Sequence, residues 1–119
     1  MLIALWIVTG LLALMFGMAG TMKATKSREA VLANMPWVED VSAGQLKTIG
    51  LLEVLGAIGL VLPAATGILP WLTPVAAFAL AITMVFAVAL HVKRKEAFVP
   101  SLVLGIVALI VGVGWIALG

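Results

Sequence analysis

The sequence predicts an all-α membrane protein, a bundle of four helices that each cross the bilayer. Hydrophobic residues make up 65% of the 119 residues and charged residues only 10%, whereas a soluble domain is about half apolar and about a quarter charged. The mean hydropathy is +1.31. A chain this short cannot bury so much apolar surface in a core of its own. Lipid must therefore be the solvent for most of it.

The apolar residues fall into four runs, each close to the roughly 20 residues that a helix needs to cross a hydrocarbon core of about 30 Å. A capping box of Ser42 and Gln45 begins the second run, and Pro63 followed by Gly67 is expected to end it. The whole chain is predicted to be one transmembrane domain, with a short interfacial segment between the first two helices. The predicted spans are residues 2–22, 43–65, 71–91 and 97–119.

The basic residues define the predicted orientation. All seven lie in or beside the first and third loops: Lys23, Lys26, Arg28 and Lys47, then Lys93, Arg94 and Lys95. By the positive-inside rule these loops are cytoplasmic, and both termini are then extracytoplasmic. Trp prefers the membrane interface, so we expect Trp6, Trp71 and Trp115 to mark the outer boundary.

Several functions are disfavoured by composition. The chain has no Cys and only one His. It therefore has no residue for thiol chemistry and no ligands for a thiolate or multi-His metal site, and no metal is expected. The few basic residues flank apolar runs and form no basic stripe, so nucleic-acid binding is not expected. No catalytic residue is predicted, and an enzymatic role is less favoured than a non-catalytic one.

Small residues at helical spacing are expected to mark helix contacts, because helices in lipid associate through close packing. The predicted packing residues in the first, second and fourth spans are Gly10, Gly17, Gly20, Gly56, Gly59, Gly105 and Gly112. Spacing does not decide whether such a stripe faces the bundle interior or a second protomer. A homo-oligomer is therefore an open alternative.

Glu53 is the candidate centre of a functional site. It lies six residues beyond Lys47, roughly 9 Å along a helix into the bilayer. A carboxylate there is expected to face the bundle interior and to find a partner or hold a proton. Lys23 and His91 lie near the same boundary. They could form a polar ligand site with Glu53 under the first loop, or Lys23 and Glu53 could be a purely structural pair with His91 in the headgroups. The depth of Glu53 favours the ligand site.

These features resemble the DoxX-like family over nearly the whole chain. Ala19-Gly20 followed by Lys23 is similar to the end of that family's first helix. The second-helix motif of the family is similar to Gly50-x-x-Glu53-x-x-Gly56-Ala57-x-Gly59. The resemblance implies a four-helix protein of the bacterial plasma membrane, mostly of unassigned function. By this resemblance Lys23 and Glu53 are the matched motif residues, and His91 matches more loosely.

The resemblance also implies a connection to redox systems, because some relatives are subunits or partners of such systems, including a thiosulfate:quinone oxidoreductase and an antioxidant complex. We expect a non-catalytic membrane subunit that binds a quinone, a lipid-like molecule, or a redox or stress-response partner around Glu53. Without Cys, any electron transfer needs a bound quinone or a partner. A small proton-coupled transporter and a membrane assembly factor or chaperone are the alternatives, and the sequence does not decide among them.

Overall fold

The computed structural model describes residues 1–118 and is helical over most of that length. The helices are α1 (Leu2–Thr25), α2 (Arg28–Leu32), a 3-10 helix (Pro36–Asp40), α3 (Ala43–Thr66), α4 (Leu72–Lys93) and α5 (Val99–Leu118). Four of them, α1, α3, α4 and α5, are long and apolar enough to cross a membrane. The predicted four-helix fold class is therefore confirmed. The predicted last residue of the fourth span, Gly119, lies outside the described residues.

The ends of α3 differ in how well the sequence predicted them. At its start, Ser42 and Gln45 form the expected capping box. The Gln45 backbone N lies 3.1 Å from Ser42 Oγ, and the Ser42 backbone N lies 2.9 Å from Gln45 Oε1. Pro63 does not break the helix, contrary to expectation; α3 continues to Thr66 and ends at Gly67, which has φ +71°. Carbonyl groups left without partners in a bilayer are costly, so continuing past one missing amide is favoured over ending within the apolar run.

The four long helices form two pairs, α1 with α3 and α4 with α5, and contact within each pair is more extensive than contact between the pairs. In the first pair the backbones meet at Gly20 and Gly50. A Cβ atom on either glycine would stand 2.6 Å from the carbonyl oxygen of the other, well inside ordinary contact. Only glycine allows this approach.

The second pair packs through glycines against side chains. A Cβ on Gly105 would stand 3.1 Å from Met84 Cβ, and one on Gly112 would stand 2.8 Å from the Phe78 ring. These contacts differ from the crossing of α1 and α3, because the neighbours are side-chain atoms and not backbone.

The two pairs meet in the half of the bundle that carries the start of α1, the end of α5 and the loop at residues 67–71. We name this half the terminal end. Gly56 lies against Leu80 there, and Gly59 lies against Ala76. The opposite end, where α1 and α4 finish, is the lid end. The bundle is therefore held together between its pairs mainly at the terminal end.

Trp115 packs inside the bundle at the terminal end. It is 9% exposed, and its Nε1 donates to Thr9 Oγ1 at 3.0 Å. Its ring packs edge-on against Trp6 with centroids 4.9 Å apart. The Thr9 hydroxyl also donates to the Leu5 carbonyl at 2.7 Å, so the indole finds its acceptor within the bundle and needs no headgroup.

The remaining predicted packing glycines of α1 behave differently from each other. A Cβ on Gly17 would contact Ala57 Cβ at an ordinary 3.8 Å. Gly10 has no atom within 4 Å of that position, so no helix within residues 1–118 packs on it. Gly10 therefore faces the outside of the bundle, and a homo-oligomer stays a prediction.

The contact between α1 and α3 generates a stability prediction. Gly20→Ala is expected to lower the free energy of unfolding by about 1–3 kcal/mol, the usual effect of overpacking, because its methyl group would meet the backbone of α3. Gly10→Ala is the matched control and is expected to leave stability unchanged. Thermal unfolding in one detergent measures both, and equal melting temperatures for the two variants would contradict the close crossing.

Candidate functional site

The candidate site is built on the close crossing of α1 and α3. Residues three apart on a helix lie on one face, so Lys23 shares the crossing face of α1 with Gly20, and Glu53 shares the crossing face of α3 with Gly50. The Lys23 Nζ donates to Glu53 Oε1 at 2.6 Å. The two side chains are only 11% and 3% exposed. The helix crossing thus places a buried ion pair inside the apolar bundle.

A cavity of about 690 Å³ lies beside this pair, between the two helix pairs in the lid-end half. Small-molecule sites typically enclose about 300–1,000 Å³. The cavity walls are mainly apolar and are formed by Met15, Phe16, Met84, Phe86, Leu90 and Leu104, among others. Its polar lining groups include Lys23, Glu53, Thr83, His91 and Glu96. An apolar cavity with charge concentrated in one part suits an amphiphilic molecule.

The segment between α1 and α3 is a folded lid, which we define as residues 27–41. Val31 and Val38 have no exposed surface and pack with Leu46 in a small core of their own. The Arg28 guanidinium donates to the carbonyls of Val41 and Val38 at 2.9 and 3.2 Å. The lid therefore holds its own shape on the first helix pair.

The lid covers the ion pair through Trp37. Lys23 Nζ lies 5.4 Å from the centroid of the Trp37 ring, which is within the range of a cation–π contact. The same ring meets the His91 ring edge-on, with centroids 6.5 Å apart. Trp37 thus joins Lys23 on the first helix pair to His91 on the second.

Arg94, just beyond the end of α4, joins the lid to the second helix pair. Its guanidinium donates to Asp40 Oδ2 and Glu39 Oε1, each at 2.9 Å, and to the Pro36 carbonyl at 3.1 Å. The hydrogen bonds to Asp40, and then to Glu39, raise the pKa of Arg94 above its ordinary value. The Arg94 side chain is 15% exposed, and it stays charged at every physiological pH.

His91 pairs with Glu96 and not with Glu53. Its Nδ1 lies 3.2 Å from Glu96 Oε1, and the side chains are 17% and 22% exposed. The structure therefore places Lys23, Glu53 and His91 on one cavity but joins only the first two by a hydrogen bond. Their common role in binding stays a prediction.

Three residues of this region were not predicted from the sequence as parts of the site, namely Trp37, Arg94 and Glu96. Arg94 reads in sequence as one of three adjacent basic anchors. The available signal was the acidic pair Glu39-Asp40 in the loop predicted on the same side of the membrane. A cation and two carboxylates confined to one end of a small bundle have few other partners.

Taken together, four apolar helices around a largely apolar cavity define a small multi-pass membrane protein. The family model of the DoxX-like family matches residues 7–114, so the chain belongs to the DoxX-like family, as the sequence motifs predicted. No curated protein and no solved structure matched the chain. Within residues 1–118, no group of three or more His, Cys, Asp or Glu side chains could hold a metal ion.

The ion pair generates a second stability prediction. Lys23→Met is expected to destabilise the protein by about 3–5 kcal/mol, because it leaves the buried Glu53 carboxylate without its partner. Adding Glu53→Gln removes the second charge and is expected to restore most of that loss. Equilibrium unfolding in mixed micelles measures the three proteins, and a Lys23→Met variant as stable as the parent chain would contradict the energetic importance of the pair.

Proposed function

We propose that this chain is a non-catalytic membrane subunit that binds a quinone-like or lipid-like molecule in the cavity beside Lys23 and Glu53. The observation that carries the proposal is a buried ion pair at the edge of an otherwise mainly apolar cavity of about 690 Å³. The apolar walls fit a hydrophobic ring or chain. The pair supplies the few polar contacts that fix the orientation of a ligand in such a cavity.

The chemistry of the pair favours a neutral head group. A lysine ammonium has three donors and an ionised carboxylate is an acceptor, and Glu53 takes one of the donors of Lys23. A carbonyl oxygen can therefore accept from Lys23, and a hydroxyl group can donate to Glu53. Because the pair is already neutral as a whole, a charged head group would bring an uncompensated charge into an apolar site, which is costly. A quinone or quinol meets these requirements.

The two alternatives fit these observations less well. A proton-coupled carrier needs an acid that can change partners, whereas Glu53 accepts a hydrogen bond from Lys23 at 2.6 Å. An assembly factor that acts through its surface would leave the cavity beside the ion pair without a role. A redox or stress-response partner protein is part of the proposal, because a chain without Cys needs either a bound quinone or a partner for electron transfer.

The binding prediction uses the Lys23→Met, Glu53→Gln double variant, in which no charge is left unpaired. In lipid nanodiscs we expect the parent chain to bind a short-chain benzoquinone, detected by quenching of Trp fluorescence. The double variant is expected to bind at least about tenfold more weakly, which corresponds to about 1.4 kcal/mol. Glu29→Gln, which changes an exposed acid of the lid, is the control and should bind like the parent.

Two outcomes decide the binding experiment. Loss of binding in the double variant alone supports a site at the ion pair. Equal affinities in the double variant and the parent would overturn it, and native mass spectrometry of the parent protein would then identify any lipid that occupies the cavity instead.

We also propose that the lid end faces the cytoplasm of a bacterial plasma membrane, with both termini outside, on the basis of the positive-inside rule. The lid end carries all seven Lys and Arg residues of the chain. Ala33→Cys in the lid and Ile68→Cys in the opposite loop are both at exposed positions. In intact cells, an impermeant thiol reagent is expected to label only Cys at position 68; labelling only at position 33 would reverse the orientation.

A further inference from the structure

We propose that the cavity is filled from the lipid phase through the gap between the two helix pairs, while the lid, latched by Arg94, seals it from water at the lid end. This inference rests on the proposed function for its occupant, a membrane-dissolved amphiphile with a neutral head group. It adds that the molecule enters sideways from the bilayer. It also adds that Arg94 holds the lid that keeps water out at the lid end.

The gap follows from where the helix pairs touch. At the terminal end they are joined, for example by the hydrogen bond between Trp115 and Thr9. Toward the lid end the cavity separates them. Two residues that line it, Met15 on α1 and Phe86 on α4, are also 53% and 71% exposed on the apolar surface of the helices. The cavity therefore reaches side chains that face the bilayer.

The lid covers the end of the cavity that would otherwise be open to water. Trp37 lies over Lys23, and the Lys23 side chain is 11% exposed although it stands near the end of α1. The lid does not depend on the second helix pair for its fold, because Val31 and Val38 form its own core with Leu46. It is a preformed cover seated on the first helix pair.

Arg94 is the latch of this cover. Within residues 1–118, every hydrogen bond from the lid to the second helix pair or its loop is made by Arg94, to Asp40, Glu39 and the Pro36 carbonyl. The Arg28 contacts lie within the lid itself. One substitution at Arg94 should thus remove every one of these hydrogen bonds, leave only the edge-on contact of Trp37 with His91, and keep the lid folded on the first pair.

The chain has no Cys, so single introduced cysteines can carry a nitroxide label at chosen depths. Thr83→Cys places the label on the cavity. Ile82→Cys, at a position 59% exposed on the helix surface, places it at nearly the same depth on the outside. The protein is studied in lipid bilayers, with molecular oxygen as the lipid-soluble relaxant and a nickel chelate as the water-soluble one.

In the parent background we expect oxygen to relax both labels to a similar extent and the nickel chelate to relax neither. Arg94→Gln is expected to raise the accessibility of the label at position 83 to the nickel chelate several-fold, with no change at position 82. Lys93→Gln, which removes a neighbouring charge outside the latch, is the matched control and should leave both labels unchanged. Circular dichroism checks that each variant keeps its helices.

Two results would overturn the inference. Poor oxygen access at position 83, with good access at position 82, would mean that the cavity is closed to lipid. Nickel access at position 83 that is high in the parent, or unaltered by Arg94→Gln in a folded protein, would mean that the lid is not the seal. No quinone is present in these measurements, so their failure is distinguishable from failure of the binding experiment.

Discussion

The crossing of α1 and α3 at Gly20 and Gly50 is the constraint on which the rest of the structure depends. Lipid chains are as apolar as leucine, so helices in a bilayer gain little from hiding apolar surface and associate through close packing. At this crossing the backbones are so close that a Cβ on either glycine would stand 2.6 Å from the opposite carbonyl oxygen. Lys23 and Glu53 lie on the same crossing faces as these glycines, and the close approach brings their side chains within hydrogen-bonding distance. Separated helices would leave both charges without partners in an apolar region.

The close packing within the two helix pairs explains the shape of the whole bundle. The pairs α1 with α3 and α4 with α5 are the extensive contacts, and the contacts between pairs are fewer. The identified contacts between pairs, such as Gly59 with Ala76, lie at the terminal end. Space is then left at the lid end, where Trp37 and Arg94 connect the pairs through the lid. The cavity is thus a consequence of uneven helix contact.

The sequence predicted where the helices lie along the chain, but it did not predict how each helix is rotated about its own axis. Run length and the capping box at Ser42 predicted four helices, because those signals depend on order along the chain. The rotation of a transmembrane helix about its axis is weakly encoded, since such a helix is hydrophobic all round. Trp115 and Gly10 show the consequence. Each lies on a face that the pattern could not assign, and one turned out to be buried while the other faces outward.

Charged residues were easier to place, because each needs a partner in an apolar surrounding. Lys23 and Glu53 were expected near one another for this reason, and they are in contact. Arg94 and Glu96 were harder to place, since residues at the membrane boundary can be satisfied by headgroups, water or other side chains. The lid was not predicted as a folded unit, because the small core of Val31, Val38 and Leu46 joins residues that are apart in the sequence and have no helical period in common.

A structural ion pair and a ligand site make different demands on their surroundings, and this difference bears on the role of Lys23 and Glu53. A pair that serves only to hold two helices is most stable when side chains pack closely around it, because a void removes dispersion contacts. Here the pair lies beside a cavity of about 690 Å³, under an aromatic ring that is itself positioned by a latched lid. Under the proposed function, an amphiphile whose neutral head reaches Lys23 would fill this space and restore the missing contacts.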